Sequence, residues 1–131
     1  FDQAFPEVIR RCGQRNHAWL CPEIETTFCE LHRAGLAHSL EAWQGERLVG
    51  GLYGLALGGT FCGESMFSCA DNASKACLVE LYRRMCQGGF HLIDCQDVTP
   101  TLAQFGARHI PFAEYFELFR SYREKDCKLD G

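Results

Sequence analysis

Two pairs of residues have types and a spacing that suggest chemistry rather than packing. Glu64 and Met66 lie two apart in one apolar stretch, and Asp94 and Gln96 lie two apart in a later one. Because side chains two apart on a strand face the same way, we expect each pair to project together. A carboxylate beside a carboxamide at a strand end could hold an amine by charge and hydrogen bonds. A purely structural pair remains the alternative.

A third segment, between those pairs, predicts the start of a helix. Asn72 is a favoured N-cap residue, and Ser74 and Lys75 follow it. The backbone N–H groups at a helix N-terminus attract phosphates and developing oxyanions, and the charge of Lys75 would reinforce that attraction. An ordinary capped helix with an exposed lysine explains the same residues without a ligand.

Composition limits the class of protein. The chain has 131 residues, of which 47% are hydrophobic and 23% are charged. These values predict one domain with a core of its own rather than a disordered or fibrous protein. No apolar run approaches the roughly 20 residues of a membrane span, and no basic-then-apolar start indicates a secretory signal. We therefore expect a cytoplasmic protein without membrane contact.

The nine cysteines are predicted to be reduced thiols. Their number is odd and their spacing irregular, which disfavours a disulfide framework. Zinc bound near Cys29 and His32 is a weak alternative because the sequence has no C-x-x-C pair, and we expect no metal. Four cysteines within apolar stretches are predicted to be small core residues, namely Cys62, Cys77, Cys86 and Cys95.

The net charge of -4 argues against a domain that grips nucleic acid broadly, because neutralising phosphates needs a basic face. Basic residues occur only in small groups, such as Arg10 with Arg11 and Arg83 with Arg84. A solvated helix face explains each group equally well. Any contact with RNA should therefore be local or shared.

Hydrophobic periodicity predicts two helices followed by three strands. Apolar residues recur at helical spacing over residues 1–12, with Pro6 tolerated in the first turn. Pro22 opens a second helix, and Gly35 ends it. Short turns with glycine then separate the strands of an antiparallel meander, predicted at 36–43, 47–57 and 60–67. Glycines inside the second strand indicate either a bulge or a ligand lying close, at Gly50, Gly51 and Gly54.

The second half of the sequence alternates between helix and strand. Residues 72–88 carry an apolar helical stripe, and 90–94 predict a strand. A short helix over 99–106, a strand over 107–110 and a last helix over 112–122 follow. A meander followed by mixed elements indicates an α+β domain rather than a doubly wound one.

Taken together, these residues resemble one known family, the leucyl/phenylalanyl-tRNA-protein transferases. The matching stretches cover most of residues 1–112 and are Trp19, 31–43, 48–54, 61–68, 72–75, 93–96 and Gly106-Ala107. The resemblance implies an acetyltransferase-like (GNAT) fold, with a mixed or antiparallel sheet flanked by helices. It also implies a single such domain over residues 1–131, without the N-terminal domain of the family.

The implied activity moves leucine or phenylalanine from aminoacyl-tRNA to the N-terminal Arg or Lys of an acceptor protein. In the family this marks proteins for degradation by the N-degron route, and no cofactor is implied. Asp94 and Gln96 match the residues that handle the acceptor amine, and Glu64 matches an acidic residue of that site. The residues at or near the aminoacyl side-chain pocket are Trp19, Phe61, Met66, Leu81 and Met85. Asn72, Ser74 and Lys75 are taken as further substrate-binding residues.

The sequence also departs from the family pattern. Thr101 and Gln104 stand where the family usually has histidine and serine, and Phe112 stands where it has arginine. Two rival functions follow. One is an acetyl-CoA-dependent N-acetyltransferase, although residues 68–75 lack the R/Q-x-x-G-x-G/A loop of such enzymes. The other is a truncated, non-catalytic module that binds basic N-termini.

Overall fold

The computed structural model describes residues 1–15, 22–95, 100–125 and 127–129. The predictions for Trp19 and Gln96 therefore lie outside the described residues. Within the described part, none of the helices is long and apolar enough to cross a membrane.

Two helices precede the sheet, α1 (Phe5–Arg15) and α2 (Pro22–Arg33). The second begins at Pro22 as expected, and Gly35 follows it with a φ of 82°. The first begins later than predicted. The backbone of Asp2 has a left-handed φ of 57°, and its carboxylate accepts the backbone N–H of Ser39 at 2.8 Å. That bond ties the start of the chain to the sheet instead of extending the helix.

The four strands form one mixed sheet in the order β1 (Ala37–Gln44), β2 (Arg47–Leu57), β3 (Thr60–Ser68) and β4 (Leu92–Asp94). The first three are antiparallel neighbours, which confirms the predicted meander. The last strand is parallel to β3. The predicted α+β class is therefore confirmed.

Each face of the sheet carries its own buried cluster. On one face α1 and α2 cover the cluster of Phe5, Val8, Ile9, Cys12, Ala37, Leu48, Tyr53 and Phe67. On the other face α3 (Ala73–Gly88) covers Leu40, Leu52, Phe61, Cys77, Leu81, Met85, Phe90 and Leu129. The sheet is thus the central layer, and its two edge strands are β1 and β4.

A β-bulge interrupts β3 near its centre. Tyr53 of β2 pairs with Ser65, and its neighbour Gly54 pairs with Gly63, so Glu64 is the inserted residue. A bulge of this kind re-aims side chains and breaks the simple alternation of faces along a strand. The direction of the Glu64 side chain therefore cannot be obtained by counting residues.

The bulge changes which predicted residues share a face. Phe61 and Met66 are five apart, yet both pack on the α3 side. The charge of Glu64 contributes to the raised pKa values of Tyr53 and Cys62. Tyr53 belongs to the cluster on the α1 side of the sheet. The bulge removes the simple alternation on which the prediction that Glu64 and Met66 project together was based, so their sharing a face stays a prediction.

The three glycines of β2 are explained by close packing and by the bulge. A Cβ atom on Gly50 would lie 2.6 Å from the Cβ of Ala73, and one on Gly51 would lie 2.9 Å from the ring of Phe67. At Gly54 it would press against the backbone of β3, beside the bulge. The atoms closest to all three glycines belong to the protein, so their packing explains the glycines without a ligand.

The second half of the chain differs from expectation at one element. Helix α3 ends at Gly88, and Gly89 caps it with a φ of 82°. Two further helices are α4 (Pro100–Gln104) and α5 (Phe112–Tyr122), the latter at its predicted bounds. The strand predicted over 107–110 is not formed, because this segment lines a cavity instead of pairing with β4.

Candidate functional site

A cavity of about 710 Å³ opens beside the β4 edge, between α3, β4, α4 and α5. Most of its wall is apolar and includes Leu78, Met85, Ile93, Phe105, Phe112 and Leu118. Asp94 and Tyr115 supply polar groups to the same wall. A mostly apolar cavity with a few placed polar groups is typical of a small-molecule site.

Asp94 occupies the last position of β4. It pairs with Cys62 of β3 in the parallel register, so the two side chains share one face of the sheet. The hydroxyl of Tyr115 on α5 donates a hydrogen bond of 2.6 Å to Oδ2 of Asp94. A strand end and a helix far along the chain therefore meet at one carboxylate.

Electrostatics place the two predicted carboxylates in one neighbourhood. Burial raises the pKa of the Cys62 thiol to about 11, and the nearby charges of Asp94 and Glu64 contribute to the rise. Both carboxylates therefore lie near the Cys62 thiol, and their membership of one site stays a prediction. Cys62 stays a neutral thiol near pH 7 and is not an activated nucleophile.

Tyr53 lies on the same side of the sheet and was not identified from the sequence. Burial raises the pKa of its hydroxyl, and the neighbouring Cys12 and Glu64 raise it further. The side chain is 0% exposed, and its hydroxyl has no hydrogen-bond partner within the described residues. A tyrosine inside an apolar strand gave no sequence signal. Buried tyrosines usually find a hydrogen-bond partner, and the sequence does not show that this one lacks it.

Of the predicted pocket residues that the structure describes, Met85 alone lines the cavity. Phe61 and Leu81 are fully buried and belong to the same core cluster as Met85. Met66 is partly buried and packs against that cluster. Their direct contact with a substrate stays a prediction, whereas the cavity wall includes Leu78 and other residues that the sequence analysis did not select.

The start of α3 is capped differently from the prediction. Asn72 adopts a left-handed backbone with a φ of 65° and makes no side-chain capping bond. Instead the hydroxyl of Ser68 accepts the backbone N–H of Ser74 at 3.3 Å, and the carbonyl of Ala70 accepts that of Ala73 at 3.1 Å. These bonds within the preceding turn already use two of the N–H groups that were expected to be available to a ligand.

The helix start also lies far from Asp94. Ser68, at the end of β3, lies six positions after Cys62, the partner of Asp94. At about 3.3 Å per residue this is roughly 20 Å along the strand, slightly less with the bulge. The structure therefore does not bring Asn72, Ser74 and Lys75 to Asp94.

The cysteines described by the structure are all free thiols. Cys77 is buried and Cys62 and Cys95 are partly buried, but Cys86 is exposed on α3, so its assignment to the core was wrong. His32 lies 2.9 Å from the carbonyl oxygen of Ala37 through Nδ1. Among the described residues, no group of three or more His, Cys, Asp or Glu side chains could hold a metal ion.

The basic groups face neighbouring acids on the helices. Arg83 and Arg84 both bind Glu80 of α3. Arg120 binds Glu117 on α5 at 3.0 Å. These pairs agree with the solvated-face explanation of the basic residues.

Comparison with known proteins gives a consistent assignment. The sequence model of the family described as leucyl/phenylalanyl-tRNA protein transferase matches residues 1–120. The leucyl/phenylalanyl-tRNA–protein transferase of Herpetosiphon aurantiacus is 52% identical over 118 residues, which cover 90% of this chain and 62% of the relative. The relative from Rubrobacter xylanophilus is 55% identical over 115 residues, with 87% and 60% covered.

A more distant relative extends the match along the chain. The transferase of Shewanella putrefaciens is 44% identical over 134 aligned positions, which cover 99% of this chain and 57% of the relative. The chain thus spans about three-fifths of the length of the curated relatives it matches. With the family model matching most of its residues, the chain belongs to the leucyl/phenylalanyl-tRNA protein transferase family.

Proposed function

We propose that this chain forms the catalytic part of an aminoacyltransferase that moves leucine or phenylalanine from aminoacyl-tRNA to the amino terminus of a protein. The observation that carries the proposal is Asp94, a carboxylate at the end of β4 in the wall of an apolar cavity. Family membership supports the reaction class.

The cavity fits the apolar side chain of the donor. Leu78, Met85 and Ile93 offer it an apolar surface. A methionine adapts its shape easily, so one wall can accept both a branched and an aromatic side chain. A polar side chain against Leu78, Met85 and Ile93 would lose its water without gaining a partner from them, which disfavours it.

The acceptor amine is proposed to meet Asp94, with Gln96 and Glu64 assisting. An α-amino group has a pKa of about 7.7 to 8.0, so an appreciable fraction is neutral near pH 7 and little base strength is needed. An aminoacyl ester is already an activated acyl donor. Holding the amine and the ester in attack geometry can therefore supply most of the rate, through effective molarities worth roughly 7 to 11 kcal/mol at best.

The transfer needs no covalent enzyme intermediate. The amine nitrogen attacks the ester carbonyl carbon, a C–N bond forms, and the C–O bond to the ribose breaks. The proton lost by the amine passes to the departing ribose oxygen, directly or through the site. Cys62 takes no part as a nucleophile, because its raised pKa keeps it protonated.

Several finer features belong to the same proposal. The acceptor begins with Arg or Lys, the product enters the N-degron route, and the protein works in the cytoplasm. The fold is of the acetyltransferase type, with the donor ester beside β3 and β4. The start of α3, with Lys75, faces the phosphates near the tRNA 3′ end, about one strand length from Asp94.

The acetyl-CoA alternative is weaker than aminoacyl transfer. Such a cofactor needs free backbone N–H groups at the start of the central helix to bind its pyrophosphate. The N–H groups of Ala73 and Ser74 are already bonded within the preceding turn. Family membership also favours an aminoacyl donor.

The testing experiment follows labelled leucine or phenylalanine from charged tRNA to a peptide that begins with arginine. It is run beside Asp94→Ala and beside a short aminoacyl-adenosine donor. Transfer with tRNA, lost in Asp94→Ala, supports the proposal in full. Transfer only from the short donor supports the chemistry and assigns tRNA binding to sequence outside this chain. No transfer from either donor would favour a non-catalytic module that binds basic N-termini.

A further inference from the structure

We propose that Tyr115 is a positioning residue for the transfer reaction, whose hydroxyl holds the Asp94 carboxylate in the orientation that meets the acceptor amine. The proposal rests on the proposed role of Asp94. It adds a residue of α5, outside the matching stretches that suggested the site.

The geometry of the contact supports a positioning role. The hydrogen bond from Tyr115 to Oδ2 of Asp94 is 2.6 Å long, which is typical of a charge-assisted O–H···O bond to a carboxylate. Both residues lie in the wall of the same cavity. The bond therefore acts where the substrates are proposed to meet.

Asp94 benefits from such a partner because of its place in the fold. It is the last residue of a strand only three residues long, at one edge of the sheet. The ladder bonds at a strand end hold the backbone only. The side chain of Asp94 can adopt several staggered rotamers. A fixed donor restricts that choice before the substrate arrives.

Helix α5 is anchored well enough to serve as the support. Its last residue, Tyr122, accepts the backbone N–H of Gly59 at 2.7 Å through its carbonyl. The ring of Tyr122 stacks on His91, next to β4, with ring centroids 4.6 Å apart. One end of the helix is therefore fixed to the β2–β3 turn and to the segment that leads into β4.

The tyrosine stays a donor over the working range of pH. Burial raises its pKa above the usual value, and the bond to Asp94 and the proximity of Cys62 add to the rise. A neutral hydroxyl can donate to the carboxylate but cannot compete with it as a base. Tyr115 therefore orients Asp94 and leaves its charge available to the amine.

A structural role of the ring is the competing explanation, and Tyr115→Phe separates the two. The variant keeps the ring, including its packing on Phe119 at a centroid distance of 6.1 Å, and removes the hydroxyl. The matched control is Tyr122→Phe on the same helix, because Tyr122 does not line the cavity. Both are assayed at a temperature at which circular dichroism shows them folded.

The expected result is a fall in kcat of roughly tenfold to a hundredfold for Tyr115→Phe, as for a misplaced catalytic group, with the donor KM within twofold of the parent. Tyr122→Phe should keep the kcat of the parent. A raised donor KM with unchanged kcat would make Tyr115 part of the cavity wall only, and unchanged kinetics would remove any role. Either result overturns the proposal.

The parent chain and Asp94→Ala are measured in the same series. If the parent transfers nothing from either donor, the proposed function fails and Tyr115 has no reaction to position. If the parent transfers and Asp94→Ala transfers equally well, the role of Asp94 fails, and that of Tyr115 with it. If the parent transfers, Asp94→Ala does not, and Tyr115→Phe matches the parent, only the positioning role is refuted.

Discussion

Tyr53 supplies a test of the structure in which the direction of the effect is unusual for a core substitution. Its ring packs edge-on against Phe5 and Phe28, with centroid distances of 6.0 and 5.3 Å. Its hydroxyl is buried without a partner in the described part of the chain. Most substitutions of a fully buried side chain destabilise, but Tyr53→Phe should stabilise the protein.

The magnitude follows from the environment of the hydroxyl. Leaving a buried polar group without a hydrogen bond costs about 1–3 kcal/mol, and the phenylalanine ring keeps the edge-on contacts. We expect a gain of about 1 kcal/mol in the free energy of unfolding. In a domain of this size that raises Tm by roughly 3 to 5 °C.

The same variant has a second signature at alkaline pH. In the unfolded chain a tyrosine has a pKa of about 10, whereas burial, with Cys12 and Glu64, raises the pKa of Tyr53 in the folded protein. Between these two values the unfolded state has lost a proton that the folded state keeps. Tyr53 therefore makes stability fall as pH rises above 10, and Tyr53→Phe should remove that part of the decline.

Urea unfolding followed by circular dichroism measures both effects, at pH 7 and at several values above 10. Tyr122→Phe serves as the control at pH 7 and should change stability by less than about 0.5 kcal/mol, because it removes a hydroxyl from a partly exposed side chain. A loss of 1 kcal/mol or more for Tyr53→Phe would show that the hydroxyl is bonded. That result would refute the argument from the buried, unpartnered group.

Three further predictions test other parts of the molecule. Asp94→Ala should abolish transfer while lowering the free energy of unfolding by no more than about 3 kcal/mol, the cost of a hydrogen bond to a charged group; global unfolding in a thermal scan would instead make Asp94 structural. Gly50→Ala should destabilise by roughly 1–3 kcal/mol in urea, because its Cβ would lie 2.6 Å from that of Ala73, and full parental stability would contradict this packing. Burial opposes ionisation of Asp2, but the bond to His38 and the N–H of Ser39 lower its pKa overall. The ionised carboxylate therefore stabilises the fold above about pH 4, and this stabilisation is lost as pH falls through the lowered pKa. Asp2→Asn should reduce the loss of stability measured at acid pH, and an unchanged loss would count against the Asp2–His38 bond.

The elements with strong local signals were predicted well. The last helix has its predicted bounds, Phe112–Tyr122, because proline and an apolar stripe mark it in the sequence. The meander was predicted to within one residue at each strand end, since glycine turns separate its strands. These features depend on neighbours along the chain, which are visible in the sequence.

The wrong predictions lie where segments that are distant in the sequence come into contact. Ser68, rather than Asn72, caps α3, because the turn after β3 brings its hydroxyl to the helix start. Residues 107–110 carry strand-like residues but line the cavity between α3 and α5. In both cases a contact made by folding overrides a local preference, and single-residue propensities do not contain such contacts.

The sequence by itself determined the family, the α+β class, the meander and the two carboxylates of the candidate site. Only the tertiary structure decided that Glu64 is the inserted residue of a bulge in β3, and that Tyr115 on α5 binds Asp94. The physical reason is the range of the interactions. Periodicity and turn residues act over a few positions, whereas strand register and the meeting of β4 with α5 depend on how the whole sheet packs.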